Sequence, residues 1–333
     1  MIARAIMACG LVWATLSPLK AWDAEGHRIV AEIAYELLNP QAKAELDKLA
    51  LQVIGPGGPY DAIMLSVWMD DLRQKGPAFP EQGKFLSWHY ISIGLNPQDS
   101  APNFEPGQDN EMKGNVVTGL KRALVVLQGG TDPYVTSKAM ACAMVLHLMG
   151  DIHQPMHAGT EFSNEFRGNG KPRNDLGGNN VKLSNGPVGD HGSNLHYFWD
   201  GAWRATFMEA TGQVEFEATE GKHASHEVPK DFQTLVELRL ADSKTRKSAY
   251  PPDFAAWAQE SNRIAKDVAY GQLSRNEGAR EANLSPDYVV AARKVARDRL
   301  VLAGLRLAEL LNATLGAVAS GPVPASYPAG PPL

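Results

Sequence analysis

Three histidines and one aspartate fall within residues 147–157 of this sequence, the densest group of histidines in the chain. His147 and Asp151 are four residues apart, a spacing that projects both side chains from one face of a helix. Pro155 is expected to end that helix and to let His157 turn toward a neighbouring point. An imidazole, a carboxylate and a second imidazole at one helix end suit zinc or a similar borderline cation. For any one histidine, a role as an ordinary buried core residue is the alternative.

Further candidate ligands lie elsewhere in the chain. His196 and Asp200 repeat the four-residue spacing, and Asp70 precedes His89 by nineteen residues, enough chain to bring both to one point. His27 lies near the expected start of the mature protein. These residues exceed what one four-coordinate zinc requires, so their number favours a multinuclear centre over a single site. Unrelated surface histidines are the alternative at this stage.

The elements that must position these residues are helices. Apolar residues recur at helical spacing along most of the chain, and no convincing series of strands is present, so an all-α fold in one domain is predicted. The stretch from Gly159 to Ser193 is rich in Gly and Asn and is predicted to be a long loop, a kind of segment that is often functional. Helices are predicted at 29–38, 41–51, 61–72, 115–127, 135–149, 194–207, 229–243, 252–272 and 286–317.

Both ends of the chain are predicted to lie outside the folded domain. Residues 1–21 resemble an export signal, with Arg4 near the start, a mostly apolar run and a small residue at Ala21. The apolar run is too short for a transmembrane helix, although an uncleaved anchor is the alternative. Residues 22–317 form the predicted domain, and the Pro-, Gly- and Ala-rich residues 318–333 form a disordered tail. The protein is therefore expected to be secreted or periplasmic, with no membrane association.

Composition limits the functions that the chain could perform. With 44% hydrophobic and 21% charged residues it has the composition of a globular protein, and its formal net charge of -5 offers no basic surface for a polyanion. A polyanionic substrate would therefore need metal ions to supply positive charge. Of the two cysteines, Cys9 lies in the expected signal, so Cys142 is predicted to be a buried small hydrophobe rather than part of a disulfide.

A set of motifs carries a resemblance to a known family. In chain order they are Trp22-x-x-x-Gly26-His27, Trp68-Met-Asp70, His89, His147-x-x-x-Asp151-x-x-Gln154-Pro155-x-His157, Gly177-Gly178-Asn179 and Asn194-Leu195-His196-x-x-Trp199-Asp200. Together they resemble the S1/P1 family of zinc-dependent single-strand nucleases. That resemblance implies a single, mostly helical domain related to zinc-dependent phospholipase C, with three zinc ions per chain.

The resemblance also implies how the ligands divide among the three metals. One metal would be held by Asp70, His89, His147 and Asp151, and a second by His157, His196 and Asp200. The third would use His27, Asp151 as a bridge, and the α-amino nitrogen and carbonyl oxygen of Trp22. Because a terminal amine at Trp22 exists only after cleavage, export and assembly of the site would then coincide.

The activity implied by the resemblance is hydrolysis of single-stranded DNA and RNA by a metal-activated hydroxide. The products would be 5′-phosphorylated, 3′-mononucleotides would also be dephosphorylated, and the enzyme would act as a monomer with no stable protein partner. Asp70 and Asp151 are the expected catalytic carboxylates, and Arg73 matches an arginine that contacts phosphate. Tyr90 matches a position on which a nucleobase stacks, and Asn179 of the Gly-Gly-Asn motif is expected to bind substrate.

The chain departs from the fungal and plant pattern in three ways. Ser92 stands where fungal members carry an aspartate that reads the base edge, so base preference is open. The segment from Thr160 to Asp175 is longer than the expected link and either reshapes substrate access or is a tolerated insertion. The disulfides of those members are absent, which favours a bacterial type. The histidines left out of the ligand set are His153, His191, His223 and His226.

Two other functions compete with the nuclease. A zinc-dependent phospholipase C would use a similar centre on lipid headgroups, although the Gly-Gly-Asn motif and the segment from Asn194 to Asp200 favour the nuclease. A non-catalytic exported protein could use zinc only for folding. Structural zinc sites are usually closed four-ligand shells, and a shared Asp151 argues against that function.

Overall fold

The computed structural model describes most of the chain between residues 22 and 316. The predicted signal at 1–21, the tail at 318–333 and three of the excluded histidines (His191, His223 and His226) lie outside the described ranges, and those predictions stay untested. The described ranges are 22–55, 58–74, 85–95, 114–168, 171–189, 192–218, 227–243, 250–276 and 278–316.

Helices make up most of the described structure, which confirms the all-α prediction. They are α1 (Ala24–Glu36), α2 (Pro40–Ala50), α3 (Trp68–Gln74), α4 (Val116–Leu127), α5 (Lys138–Asp151), α6 (Leu195–Asp200), α7 (Lys230–Ser243), α8 (Phe254–Ile264) and α9 (Pro286–Leu315). Short 3-10 helices span Met64–Val67, Leu86–His89, Pro155–His157 and Ala202–Arg204, and a π-helix over Ala265–Tyr270 continues α8.

Side-chain caps determine where most of these helices begin. In each case a short polar side chain accepts a hydrogen bond from the backbone N–H three residues later, which satisfies a group that the helix itself leaves unbonded. The capping residues are Asp23, Asn39, Asn115, Ser137, Asn194, Asp253 and Ser285. The Asp23 and Asn194 caps begin the helices that carry His27 and His196, so local sequence fixes where these two imidazoles stand.

The described residues also form short strands in four two-stranded pairs. The strands β1 (Ile93–Gly94) and β2 (Gly159–Thr160) pair in parallel, as do β5 (Lys182–Leu183) and β8 (Glu281–Ala282). Antiparallel hairpins join β3 (Phe162–Gly168) to β4 (Lys171–Asn174) and β6 (Ala205–Met208) to β7 (Gln213–Phe216).

These strands correct two predictions. The segment from Gly159 to Ser193 is not one long loop, since β2 to β5 lie within it. The helix predicted to reach Phe207 ends at Asp200, followed by a 3-10 turn and β6. A Cβ at Gly201 would lie 2.5 Å from the Phe216 ring, so the hairpin packs directly against the end of the helix.

The hydrophobic core surrounds α5. Every residue from Ala141 to Asp151 is buried, and α5 packs against α1, α2, α4 and α9. A helix that is apolar all round belongs in the centre of a protein, where neighbouring helices cover every face. Cys142 is buried with a free thiol, as predicted. Among the helices described, none is long and apolar enough to cross a membrane.

Candidate metal centre

The last turn of α5 brings His147 and Asp151 together with His89, and these three residues form the first group. His147 Nε2 lies 3.3 Å from Asp151 Oδ2 and 3.0 Å from His89 Nδ1, and His89 Nδ1 lies 3.1 Å from the same Asp151 oxygen. Nitrogen and oxygen ligands at 2.0–2.1 Å from a tetrahedral zinc stand about 3.3 Å apart. The donor atoms and their spacing therefore fit a zinc-sized cation.

The other oxygen of Asp151 faces a second group. His27 Nε2, from α1, lies 3.6 Å from Asp151 Oδ1, and its ring stacks on His147 with the centroids 3.9 Å apart. Ligand atoms of His27, Asp70 and His147 all lie within 4.8 Å of one another. A Cβ at Gly150 would lie 2.8 Å from His27 Nδ1, so the imidazole reaches α5 only because this residue is glycine. His27 thus stands beside Asp70 as well as beside Asp151.

A third group joins the turn after α5 to helix α6. Ligand atoms of His157, His196 and Asp200 lie within 4.8 Å of one another, and all three residues are buried. His196 Nε2 is 3.8 Å from Asp200 Oδ1, and the two imidazoles stack with centroids 5.0 Å apart. Gln154 Nε2 donates to the same oxygen of Asp200 at 2.8 Å. This is the set that the family resemblance assigns to one metal.

Backbone carbonyls orient three of the imidazoles. The Nδ1 atoms of His147, His157 and His196 donate to the carbonyl oxygens of Ser66, His89 and Gly177 at 2.7, 2.7 and 2.8 Å. A carbonyl can only accept, so in the neutral ring the proton is on Nδ1 and the lone pair of Nε2 is available to a metal. Sequence analysis did not identify these carbonyls, because every residue carries one.

Trp22, the expected start of the mature protein, lies between the ends of α5 and α6. Its indole is fully buried and donates to the Gly150 carbonyl at 2.9 Å. The backbone N–H of Asp23 donates to the Asp200 carbonyl at 3.0 Å. Trp22 and Asp23 therefore lie beside the ends of the two helices that carry Asp151 and Asp200.

The electrostatics of the centre favour a cation. Burial lowers the pKa of His147, but the Asp151 and Asp70 carboxylates raise it by more, so its net pKa is raised. Burial raises the pKa of Asp200 well above its usual range, other nearby carboxylates add to that rise, and the Gln154 hydrogen bond opposes it. Bound cations reverse this destabilisation of the carboxylate form, since opposite charge favours ionised carboxylates.

Comparison with known proteins identifies the family. The sequence profile described as S1/P1 Nuclease matches residues 22–316. The chain belongs to the S1/P1 nuclease family. As a member, it is a metal-dependent nuclease, a hydrolase that acts on phosphodiesters in nucleic acids.

Curated relatives of this S1/P1 nuclease come from a plant and a fungus. Endonuclease 1 of Arabidopsis thaliana is 25% identical over 328 residues, covering 93% of this chain and 92% of the relative. Endonuclease 2 of the same plant is 23% identical over 306 residues, covering 90% and 92%. Nuclease S1 of Aspergillus oryzae is 22% identical over 180 residues, covering 54% and 53%. The similarity to the plant proteins therefore extends over nearly the whole chain.

The predicted substrate-binding residues of this nuclease lie near the centre. Tyr90 is partly exposed and directly follows His89. Asn179, also partly exposed, donates through its side chain to the Leu176 carbonyl at 2.8 Å. Arg73 belongs to α3, but its side chain lies outside the described part of the structure. No contact with substrate tests these three assignments, and they stay predictions.

Leu176 was not singled out from the sequence. It is 45% exposed and has a φ of 57°, a left-handed conformation that non-glycine residues seldom adopt. It directly precedes Gly177, whose carbonyl orients His196, so an apolar side chain stands at the surface close to the third group. The sequence carries no signal for this conformation, because leucine does not favour it.

His153 is separate from all three groups. Its Nδ1 donates to the Met149 carbonyl at 2.7 Å, and Arg306 Nη1 lies 2.9 Å from its Nε2. Burial, together with Arg299 and Arg306, lowers the pKa of His153 well below its usual value. This histidine is therefore a neutral structural residue.

Proposed function

We propose that this nuclease is an exported zinc enzyme that hydrolyses single-stranded DNA and RNA to 5′-phosphorylated products and also dephosphorylates 3′-mononucleotides. The observation that carries the proposal is the convergence of three buried His/Asp groups around the end of α5. The two oxygens of Asp151 face different imidazoles, so this one carboxylate could bind two metals. His147 offers a metal only its Nε2, because its Nδ1 donates to the Ser66 carbonyl. The position of Asp151 favours a multinuclear centre over separate structural sites.

Three zinc ions are the metals that we assign to these groups. The donors are imidazoles and carboxylates, which suit zinc, and their spacing fits it. When bound, such ions lower the pKa of water from about 15.7 toward 7 and stabilise charge on phosphate oxygens. Their charge outweighs that of Asp70, Asp151 and Asp200, which would allow a protein of net charge -5 to bind a polyanion.

The protein's own residues prepare the site for this hydrolysis. Asp151 spans two groups and so fixes their separation, while the carbonyl-bound imidazoles need no reorganisation before the reaction. In the reaction, water's oxygen bonds to phosphorus, the P–O3′ bond breaks, and one proton of the water ends on the leaving O3′. The phosphate remains on the 5′ side of the product.

Single-strand preference is assigned to Tyr90. Its partly exposed ring stands next to His89, so a base stacked on it would hold the adjacent phosphate near the metals. Stacking of a base on an aromatic ring contributes roughly 1–3 kcal/mol and is largely independent of sequence. The base must first leave its own stack, and single strands permit this at lower cost than duplexes. Asn179 and Arg73 are assigned to substrate binding and to phosphate contact.

A set of parallel assays tests the proposal. Zinc content is measured first, and turnover of single-stranded DNA, the matching duplex, 3′-AMP and phosphatidylcholine is then compared. We expect three zinc ions per chain, faster cleavage of the single strand than of the duplex, and phosphate release from 3′-AMP. Turnover of lipid alone would indicate the phospholipase, and tightly held zinc without turnover would indicate a purely structural role.

The amino terminus of the secreted protein supplies a further test. We propose that cleavage before Trp22 gives the metal beside His27 and Asp151 its α-amino ligand, since the buried Trp22 lies beside Gly150 and the next residue binds the Asp200 carbonyl. Protein recovered from the periplasm or medium should begin at Trp22 by terminal sequencing. A protein with one additional residue before Trp22 should bind less zinc and lose activity, and equal activity would exclude the terminal amine as a ligand.

A further inference from the structure

A buried carboxylate, Asp175, follows the β3–β4 hairpin and lies near the third group (His157, His196 and Asp200). Asp175 is fully buried, and its Oδ1 accepts hydrogen bonds from the Thr160 hydroxyl at 2.9 Å and the Glu161 N–H at 3.1 Å. Its Oδ2 accepts from the Tyr270 hydroxyl at 2.6 Å. An ionised carboxylate only accepts hydrogen bonds, and donors of this number and closeness match the ionised form. The fold therefore provides a specific place for this negative charge.

Gly177 connects Asp175 to His196. The Gly177 N–H donates to Thr160 Oγ1 at 3.2 Å, and the Thr160 hydroxyl donates to Asp175. The Gly177 carbonyl accepts from His196 Nδ1 at 2.8 Å. Burial raises the pKa of Asp175 and outweighs the hydrogen bonds from Tyr270, Glu161 and Thr160, which lower it. The two polar backbone groups of Gly177 thus face the Thr160 hydroxyl on the Asp175 side and the imidazole on the other.

The two glycines allow the turn to take this conformation. Gly177 has a φ of 60° and Gly178 a φ of 84°, both in the region that glycine adopts readily. A Cβ at Gly177 would lie 2.6 Å from the Met156 carbonyl oxygen, so a side chain would displace the turn. Glycine therefore lets the Gly177 N–H and carbonyl face Thr160 and His196.

The Tyr270 side of the network comes from an unusual helix. Tyr270 is the last residue of the π-helix that continues α8, and its hydroxyl is directed at Asp175 across about a hundred residues of sequence. A π-helix has i→i+5 hydrogen bonds, so its side chains point in different directions from those of a continued α-helix, and such segments are frequent at functional sites. The π-helix thus directs the Tyr270 hydroxyl at the Asp175 carboxylate.

We propose that Asp175 is a positioning residue for the third group, acting on His196 through Thr160 and Gly177. The carboxylate fixes the Thr160 hydroxyl, the hydroxyl accepts from the Gly177 N–H, and the Gly177 carbonyl holds His196 with Nε2 toward Asp200. Metal-bound histidines commonly donate their other N–H to a carboxylate or a carbonyl, which fixes the ring and makes it a stronger ligand. Here a carbonyl makes that contact, and a buried carboxylate supports the carbonyl through hydrogen bonds that strengthen one another. The inference rests on the proposed function in that the third group must hold a metal.

The test measures zinc affinity by competition with a chelator. We compare the wild type with Asp175→Asn, His196→Ala and the double variant. Asp175→Asn should weaken one zinc by about 10–100-fold, the usual effect of changing an orienting partner of a ligand. The remaining zinc should bind as in the wild type. In the His196→Ala background that zinc is already weakened, so adding Asp175→Asn should cause little further loss.

A matched control separates positioning from general loss of a carboxylate that accepts several hydrogen bonds. Asp132 accepts hydrogen bonds from the Tyr134 and Val135 N–H groups at 2.9 and 3.1 Å and from Arg122 at 2.7 Å, and it belongs to none of the three groups. Asp132→Asn should reduce thermal stability without changing any zinc affinity. If both Asp→Asn variants weakened zinc equally, the positioning role would be wrong.

A second pair of variants keeps the test decisive if Asp175→Asn does not fold. Thr160→Val removes the hydroxyl that joins Asp175 to the Gly177 N–H, whereas Thr160→Ser retains it. Zinc affinity should fall in the valine variant and return in the serine variant. Equal affinity in both, with zinc bound normally by the wild type, would overturn the inference and leave the proposed function intact. A wild type that binds no zinc would overturn both.

Discussion

Asp151 is the residue at which the ligand groups meet. Its Oδ2 lies near His89 and His147, while its Oδ1 faces His27. The side chain is fully buried, and burying a carboxylate is costly unless opposite charge compensates for it. A carboxylate in contact with imidazoles from different elements could bridge two cations. Replacing either oxygen by an amide nitrogen would then remove one ligand.

We therefore expect Asp151→Asn to lower kcat on a single-stranded oligonucleotide by about 100-fold or more and to release part of the bound zinc. The amide is neutral and offers only one oxygen, so it cannot bridge two metals as an anion. Kinetics and metal analysis of the purified variant measure both effects. Asp71→Asn is a matched control, because Asp71 is on α3 beside Asp70 but accepts from Tyr60 at 2.8 Å. Full activity of Asp151→Asn would contradict the bridging role.

The ligand residues could be predicted from the sequence because their types are informative. Imidazoles and carboxylates four residues apart suggested metal binding, and the family resemblance supplied the full ligand set. The exclusion of His153 follows from its position. The groups that orient the ligands could not be predicted in this way. The carbonyl of Ser66 has no signal in the sequence, and the role of Asp175 depends on Tyr270, which is distant along the chain.

At the scale of elements, the turn after α5 depends on helices from the end of the chain. The Ser261 hydroxyl of α8 donates to the Ile152 carbonyl at 2.6 Å, and Arg299 of α9 donates to the His153 carbonyl at 3.1 Å. These bonds satisfy carbonyls that the end of a helix leaves unbonded. They hold the backbone between Asp151 and His157, so distant helices determine the distance between the groups.

Element boundaries were predictable only where local signals determined them. The α6 helix begins where the sequence indicated, because its Asn194 cap is encoded next to it. The α1 helix begins at Ala24, before its predicted start at residue 29, because the Asp23 side chain caps it there. Pro155 was expected to end α5, yet the helix ends earlier, at Asp151, and the proline begins a 3-10 turn. The strand β5 pairs with β8, as Lys182 opposite Glu281 shows, and two-residue strands with partners so distant leave no pattern in the sequence.

An ion pair between the β6–β7 hairpin and α9 makes stability depend on pH. A hydrogen bond from Arg293 lowers the pKa of Glu217 to about 2 from an ordinary value of 4.5. A lowered folded-state pKa means that this carboxylate stabilises the fold above about pH 4.5 and loses the effect as pH falls toward about 2. The Glu217 side chain is 50% exposed, so solvent screening keeps the contribution below about 1 kcal/mol.

The melting temperature of Glu217→Gln should accordingly lie slightly below that of the wild type at neutral pH, with the difference shrinking in acid. Thermal melts at intervals from about pH 7 to about pH 3 measure this difference. Glu215→Gln, on strand β7 just before Glu217, controls for removal of a nearby negative charge. A difference that stayed constant across this range would show that the ion pair does not account for the effect.

At the scale of the whole molecule, metal binding and folding are coupled. The grouped ligands come from α1, α3, α5, α6 and two 3-10 turns, and the segments that carry them surround a single core. Only the folded chain brings them together, so a metal that binds them stabilises the native state against the unfolded one. Conversely, without cations the core must hold three buried carboxylates close together, which opposes folding.

Removing the metals should therefore lower the stability of the entire domain, and not only its activity. A metal whose free concentration is about 100 times the dissociation constant of its site adds about 2.7 kcal/mol to the free energy of unfolding. We expect the melting temperature to fall on dialysis against a chelator and to recover when zinc is restored. The same treatment should change the melting temperature of Asp151→Asn less, because that variant has already lost part of its metal. An unchanged melting temperature in the chelated wild type would mean that the core tolerates the buried carboxylates without cations, and the coupling between metal and fold would then be wrong.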